Sequence, residues 1–157
     1  MKTKSGKGRL LRVLVLHGPN LNLLGTREPG IYGATSLKEI DALLYAEANA
    51  LGVFLSTFQS NHEGGLVDRI HEAAGKEHGL LVNAAALTHT SISLRDALAA
   101  VALPAVEVHL TNPFRREPFR RKSRLAGVCL ARVEGFGPES YRLGLIGLVG
   151  LIRKSGG

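Results

Sequence analysis

Residues 10–20 read LLRVLVLHGPN, a short apolar run that breaks at His17 into a Gly18-Pro19-Asn20 turn. An almost unbroken apolar stretch of this length, closed by turn residues, is the pattern of a strand buried on both faces, as parallel sheets require. A glycine-rich loop over residues 25–33 follows, and Ser36-Leu37-Lys38-Glu39 then makes a capping box. The helix it opens carries Ile40, Leu43, Leu44 and Leu51 on one stripe and stops at Gly52. Residues 53–58 predict a second strand. Leu66, Val67, Ile70, Ala73 and Ala74 mark a second helix, closing near Gly75 or Gly79. Beyond it come a third strand over 80–82, a third helix over 91–101, a fourth strand over 105–110 and a fifth over 127–133. Pro138 suits the start of a final helix reaching about Arg153.

Strands that alternate with helices specify an α/β fold, a parallel sheet with helices on both faces. Five strands in 157 residues suggest a flavodoxin-like, doubly wound, five-stranded parallel sheet of order 2-1-3-4-5. Such sheets bind ligands beyond the carboxyl ends of their strands, at the switch point between the first and third. The expected organisation is one domain over residues 10–153, preceded by a basic, flexible tail over 1–9 and followed by a short tail over 154–157. In the last helix Gly144, Gly147 and Gly150 recur every third residue. Each costs about 1 kcal/mol against alanine. Close approach of another backbone, including one across a subunit contact, accounts for them, and so does plain tolerance in a marginal helix.

With 45% hydrophobic and 21% charged residues the composition is that of a globular protein, and 5% aromatic content without Trp leaves the core to Leu, Val, Ile and Ala. The single cysteine, Cys129, excludes an intramolecular disulfide framework and a multi-cysteine metal cluster. No apolar run approaches the roughly 18 residues of a membrane span, and the basic N-terminus lacks a small-residue cleavage site. The reading is cytoplasmic, with no membrane partner. The formal net charge of +7 concentrates at Lys2, Lys4, Lys7, Arg9 and Arg12, at residues 115–124, and at Arg153 and Lys154. No aromatic residue interleaves with the tail as a base-stacking platform, so nucleic acid is not an expected partner. The central cluster, Arg115, Arg116, Arg120, Arg121, Lys122 and Arg124, lies near other polar residues and points to a small anion instead.

The strand ends are chemically dense. His17, Asn20, Asn22, Arg27 and Tyr32 follow the first strand, and Asn83 through Ser91, including His89, follow the third. On the fourth, Glu107, His109 and Thr111 alternate with Val108 and Leu110. A central parallel strand is normally apolar on both faces, so a carboxylate, an imidazole and a hydroxyl on one face are costly unless paired or at work. A structural Glu–His pair explains that segment alone, but not the projection of Asn83, His89, Arg27 and Tyr32 to the same rim. No P-loop or Gly-x-Gly-x-x-Gly follows the first strand, and no Gly-x-Ser-x-Gly elbow is present. Lys122 is the only lysine near the rim, which leaves an imine mechanism without an obvious nucleophile. A metal set of His89, His109 and Glu107 has the residue types but no ligand spacing to support it. Acid–base chemistry on a small anion remains. Singly, Tyr32 reads as a lid aromatic and Arg27 as a solvated charge. Together, the guanidinium favours the phenolate and makes a usable base. His109, oriented by Glu107, can donate a proton, and Asn20 and Asn83 can hold a carbonyl, enolate or hydroxyl. Amides near Thr90-Ser91 or near Thr111 can receive a carboxylate.

These residues sit in HGPNLNLLGTREPGIYG (17–33), FQSNHEGGLVDRIHEA (58–73), NAAALTHTSISLRDAL (83–98), PAVEVHLTNPFRREPFRRKS (104–123) and GFGPESYRL (135–143). In that order they resemble the type II 3-dehydroquinate dehydratases, over residues 11–148. The resemblance implies a lyase of the shikimate pathway or of quinate breakdown that eliminates water from 3-dehydroquinate in the anti sense, giving 3-dehydroshikimate through an enolate. It implies no metal and no organic cofactor. It further implies trimers assembled into a dodecamer. Carried over by motif, Tyr32 is the base and Arg27 its partner; Asn20 steadies the enolate through a water; His109, assisted by Glu107, is the acid. Asn83 and His89 hold ring hydroxyls, Leu110 and Thr111 the carboxylate, Arg120 another hydroxyl, and Asp96 reaches a neighbouring subunit's site. The chain departs from the family pattern at Thr111, where serine is common, and at Pro118, which removes a charge and a backbone donor near Arg120. It departs again at residues 84–86, which are alanines where many members carry proline or glycine. The competing readings are a non-catalytic binder of shikimate-type acids on the same fold, and a flavin or nucleic-acid module suggested by fold and charge alone.

Overall fold

The computed structural model describes residues 8–26 and 28–156, with the side chains of Pro29 and Tyr32 left out. Most of the basic tail and Arg27 therefore lie outside the described residues. The strands are β1 (Arg12–His17), β2 (Phe54–Gln59), β3 (Gly79–Asn83), β4 (Ala105–His109) and β5 (Ala131–Glu134). The helices are α1 (Pro29–Tyr32), α2 (Leu37–Leu51), α3 (Glu63–Ala73), α4 (Leu87–Thr90), α5 (Ile92–Val101) and α6 (Glu139–Ser155). All strand pairs are parallel and the order is β2-β1-β3-β4-β5, the doubly wound arrangement expected.

Alternation along the strands divides the core. Val13 and Val15 of β1, Leu81 of β3 and Val106 and Val108 of β4 pack with Ile40 and Leu44 of α2 and Tyr141, Leu145 and Leu148 of α6. Leu14, Leu16, Leu80 and Val82 face the other way, onto Leu66 and Ile70 of α3 and Leu94 and Leu98 of α5. The capping box opens α2: Ser36 Oγ accepts from the Glu39 amide at 3.2 Å, and Glu39 takes the Ser36 N–H at 2.7 Å. Among the described residues no helix is long and apolar enough to cross a membrane.

Three expectations change. The first strand begins two residues late and includes His17. The fifth strand is only Ala131–Glu134, because residues before it turn instead: Ser123 Oγ accepts the amides of Leu125 and Ala126, each at 3.0 Å, and Ala126–Val128 winds into a 3-10 turn. The three glycines of α6 do not act as a set. A Cβ on Gly144 would lie 2.8 Å from Val108 Cγ2 and 3.0 Å from Leu81 Cδ1, so this glycine lets the helix sit down on side chains of the sheet. Around Gly147 and Gly150 there is open space.

Candidate active site

At the end of β1 the chain turns tightly against β3. Gly18 donates its N–H to the Asn83 carbonyl at 2.7 Å, and a Cβ at Gly18 would fall 2.4 Å from the Ala84 carbonyl oxygen. Only glycine permits that approach. Asn20 follows in the left-handed region, φ 68°, which asparagine tolerates better than most residues. Its amide donates to Asn61 Oδ1 at 2.9 Å. The register pairs His17 with Asn83 across β1 and β3, so this turn lies at the switch point.

There a cleft of about 690 Å³, part of it open to solvent, is walled by Asn20, Asn83, His89, His109, Leu110, Thr111 and Arg120. All seven were singled out from the sequence. Pro19, Leu21, Leu24, Ala85, Ala86, Pro113 and Arg116 complete the wall. Glu107 stands behind it, fully buried, with Oε1 2.8 Å from His109 Nε2. Asp96 is not brought to this cleft; it lies exposed on α5, 3.2 Å from Arg95 Nη1. Arg27 and the Tyr32 side chain lie outside the described residues, though the Tyr32 backbone ends α1.

His109 and Glu107 form the chemical centre. Glu107 Oε1 also receives the Ser123 hydroxyl at 2.8 Å, and Oε2 lies 3.2 Å from Arg132 Nε. Arg132 in turn donates to Glu134 Oε2 at 2.8 Å. Burial alone would push Glu107 upward, but the His109 hydrogen bond and charge, the Ser123 hydrogen bond and the Arg132 charge outweigh it and hold the carboxyl below its usual range. Glu107 is therefore an anion, and it takes the Nε2 proton of His109. That leaves His109 Nδ1 as the atom with a proton to give when the ring is charged. Burial next to Glu107 pushes the Cys129 thiol up to about 12, so it is no nucleophile at neutral pH.

His89 Nδ1 lies 2.8 Å from the Lys122 carbonyl, which can only accept, so in the neutral ring Nε2 is a bare acceptor. Arg120 donates to Glu117 Oε2 at 2.7 Å and lies over the Phe119 ring. Pro118 does not disturb it: the proline opens the 3-10 turn Pro118–Arg121, where its missing N–H has no partner to lose. Of the two carboxylate seats weighed, the start of α5 is already occupied, because Ser91 Oγ caps the Leu94 amide and donates to Glu63. Thr111 lines the cleft. Among the described residues no group of three His, Cys, Asp or Glu side chains is placed to hold a metal ion.

His17 is the residue the sequence placed wrongly. It is buried, not on the rim, and bonds to Asp41 and Tyr141. Sequence reasoning missed Asp41, Tyr141, Ser123 and Arg132, while Arg116, which it read only as part of the basic cluster, lies in the cleft wall. Only Arg132 carried a usable signal: Arg132 and Glu134 flank Val133 as Glu107 and His109 flank Val108, and the register sets Glu107 against Arg132 and His109 against Glu134.

Residues 11–149 match the family model for dehydroquinase class II. A protein of Nostoc sp. named 3-dehydroquinate dehydratase is 61% identical over 139 residues, covering 88% of this chain and 95% of its own. One of the same name from Synechocystis sp. is 62% identical over 138 residues, covering 88% and 91%. The crystal structure of the type II dehydroquinase from Butyrivibrio crossotus superposes with a TM-score of 0.87 at 36% identity, covering 88% of this chain and 97% of that one. With a matching family model, near relatives and the same sheet, this chain belongs to the type II 3-dehydroquinate dehydratases, a family of hydro-lyases.

Proposed function

We propose that this chain eliminates water from 3-dehydroquinate in the anti sense, giving 3-dehydroshikimate through an enolate. The Tyr32 phenolate, supported by the Arg27 guanidinium, takes a proton from C2, which the neighbouring C3 ketone acidifies. Asn20, through a water, steadies the enolate oxygen. The enolate electron pair then forms the C1–C2 double bond, the C1–O bond breaks, and His109 Nδ1 gives its proton to the departing hydroxyl, which leaves as water. Both proton transfers are made by side chains, so the reaction needs no cofactor. Glu107, by accepting the Nε2–H, fixes which nitrogen faces the cleft.

The remaining wall suits the substrate's polar groups. Asn83 has an N–H to give to a ring hydroxyl oxygen and His89 Nε2 a lone pair to take a hydroxyl proton. Leu110 and Thr111 receive the carboxylate, and Arg120 holds another hydroxyl. We place this activity in one domain over residues 10–153, between tails at 1–9 and 154–157, in the cytoplasm, with no nucleic-acid partner. Trimers gathered into a dodecamer complete the reading: Asp96, exposed on α5 away from its own cleft, is available to a neighbour's site.

The observation that carries this reading is the buried Glu107–His109 pair opening onto the switch-point cleft. It is tested by following ultraviolet absorbance as 3-dehydroquinate becomes a conjugated enone. Wild type is expected to turn over, and Tyr32→Phe to lose most of kcat with a modest change in KM. A folded wild type that binds the acid without turnover would make the protein a binder instead.

A further inference from the structure

Behind Asn83 runs a string of polar side chains for which the reaction above has no use. Asp41 Oδ1 on α2 lies 2.8 Å from His17 Nε2. His17 Nδ1 lies 2.9 Å from the Tyr141 hydroxyl on α6, and that hydroxyl lies 2.9 Å from Asn83 Nδ2. Asn83 Oδ1 accepts the Ala85 N–H at 3.1 Å. His17 is 1% exposed and Tyr141 0%, so neither has bulk water as an alternative partner, while Asp41 is 23% exposed and Asn83 borders the cleft.

The two ends dictate the direction of every bond between them. A carboxylate only accepts, so His17 carries a proton on Nε2 and, in the neutral ring, leaves Nδ1 bare. Bare Nδ1 must receive the Tyr141 O–H. The hydroxyl oxygen then has lone pairs to receive one Asn83 N–H. From the other end, the Ala85 amide only donates, which fixes Oδ1 of Asn83 toward it and Nδ2 toward Tyr141. Both ends therefore require the same amide orientation. Burial pushes the Tyr141 hydroxyl upward, so it keeps the proton it donates. One N–H of Asn83, on the wall of the cleft, remains uncommitted among the described residues.

We propose that Asp41, His17 and Tyr141 are positioning residues that lock the Asn83 carboxamide as a hydrogen-bond donor to the cleft, so that the ligand atom seated there must be an acceptor. The step from ligand atom to substrate hydroxyl rests on the reading of the cleft as the 3-dehydroquinate site; the bond directions do not.

Two measurements separate these. In 15N-labelled wild type, long-range proton–nitrogen spectra, assigned with a His17→Asn variant, are expected to show His17 protonated at Nε2 and bare at Nδ1. The opposite tautomer overturns the proposal whether or not the protein turns over. In kinetics with 3-dehydroquinate, Tyr141→Phe and Asp41→Asn are each expected to raise KM by roughly 3- to 10-fold, with a smaller change in kcat. Asp41→Glu, which restores an acceptor-only group, is expected to bring KM back toward wild type. Tyr141→Phe placed on Asn83→Ala is expected to add nothing further to KM. An unchanged KM in Tyr141→Phe, or an undiminished effect in the Asn83→Ala background, means that the string is only structural and overturns the proposal. An inactive wild type with the expected tautomer overturns the functional reading instead and leaves the lock standing.

Discussion

Replacing Glu107 with glutamine keeps the side chain's volume and removes its charge. Two donors bond to this carboxylate, His109 Nε2 and Ser123 Oγ, each at 2.8 Å, and the Arg132 guanidinium forms an ion pair with its second oxygen, Nε at 3.2 Å. An amide offers them one oxygen. With the oxygen toward His109 and Ser123, its NH2 faces the Arg132 guanidinium; flipped, its NH2 opposes both His109 and Ser123. Either orientation sets donor against donor in a site with no exposure at residue 107. Breaking a buried pair costs about 3–5 kcal/mol. Arg132 keeps Glu134 at 2.8 Å and is 26% exposed, so water and that partner reduce the loss here to about 2–3 kcal/mol. For a domain of this size the melting temperature is then expected to fall by about 5–10 °C. Activity is expected to fall further than stability explains. The ring loses the acceptor-only partner that orients it, and kcat is expected to drop about 10- to 100-fold, part of the roughly 10²- to 10⁴-fold that a positioned general acid supplies. Thermal unfolding and initial rates on the same preparation read both. A variant that melts as wild type and keeps wild-type kcat would refute the reasoning.

The same carboxylate sets a pH dependence. Because its folded-state value lies below the ordinary 4.5, its contribution is present above that pH and is lost as pH falls through the lower folded value. The stability gap between wild type and Glu107→Gln, measured by urea unfolding, is expected to be full at pH 7 and to narrow at pH 3; a constant gap would contradict the assignment. Gly18→Ala drives a Cβ to 2.4 Å from a backbone oxygen that has little freedom to move. It is expected to cost about 3 kcal/mol and to raise KM by spreading Asn20 from Asn83. Unaltered unfolding would show that the β1 turn is not held as described. Gly147→Ala, into open space, is expected to stabilise α6 by about 1 kcal/mol, while Gly144→Ala, against Val108 and Leu81, is expected to destabilise. A loss at Gly147 would mean that another chain covers that face.

The sheet was legible in the sequence because each strand of a doubly wound fold is an apolar run bounded by turns, and the covering helices show apolar stripes, with a capping box opening α2. The strand-four alternation Glu107, Val108, His109 was legible for the opposite reason, since it breaks the rule that a central strand is apolar. The start of the fifth strand was not: residues 127 and 128 are small and apolar enough to pass for a strand, and only the tertiary capping by Ser123 turns them aside. His17 shows a second limit. A histidine ending the first strand reads as a rim residue, yet Asp41 lies 24 positions on and Tyr141 lies 124, and nothing local indicates that they meet. Distant polar partners that satisfy one another leave no periodic trace in sequence. Arg27 and Tyr32 illustrate the reverse, since their proposed roles come from the sequence alone and their side chains lie outside the described residues.

The central claim is that one group removes the C2 proton and a different group, His109, protonates the leaving hydroxyl. The most direct test follows 3-dehydroquinate by proton NMR in D2O with His109→Ala, against a protein-free control. Loss of the C2 proton signal to deuterium above that control, without formation of 3-dehydroshikimate, is the expected result, because the base still works while the acid is gone. Simultaneous loss of exchange and dehydration would place His109 in proton abstraction and contradict the account, as would wild-type dehydration without it.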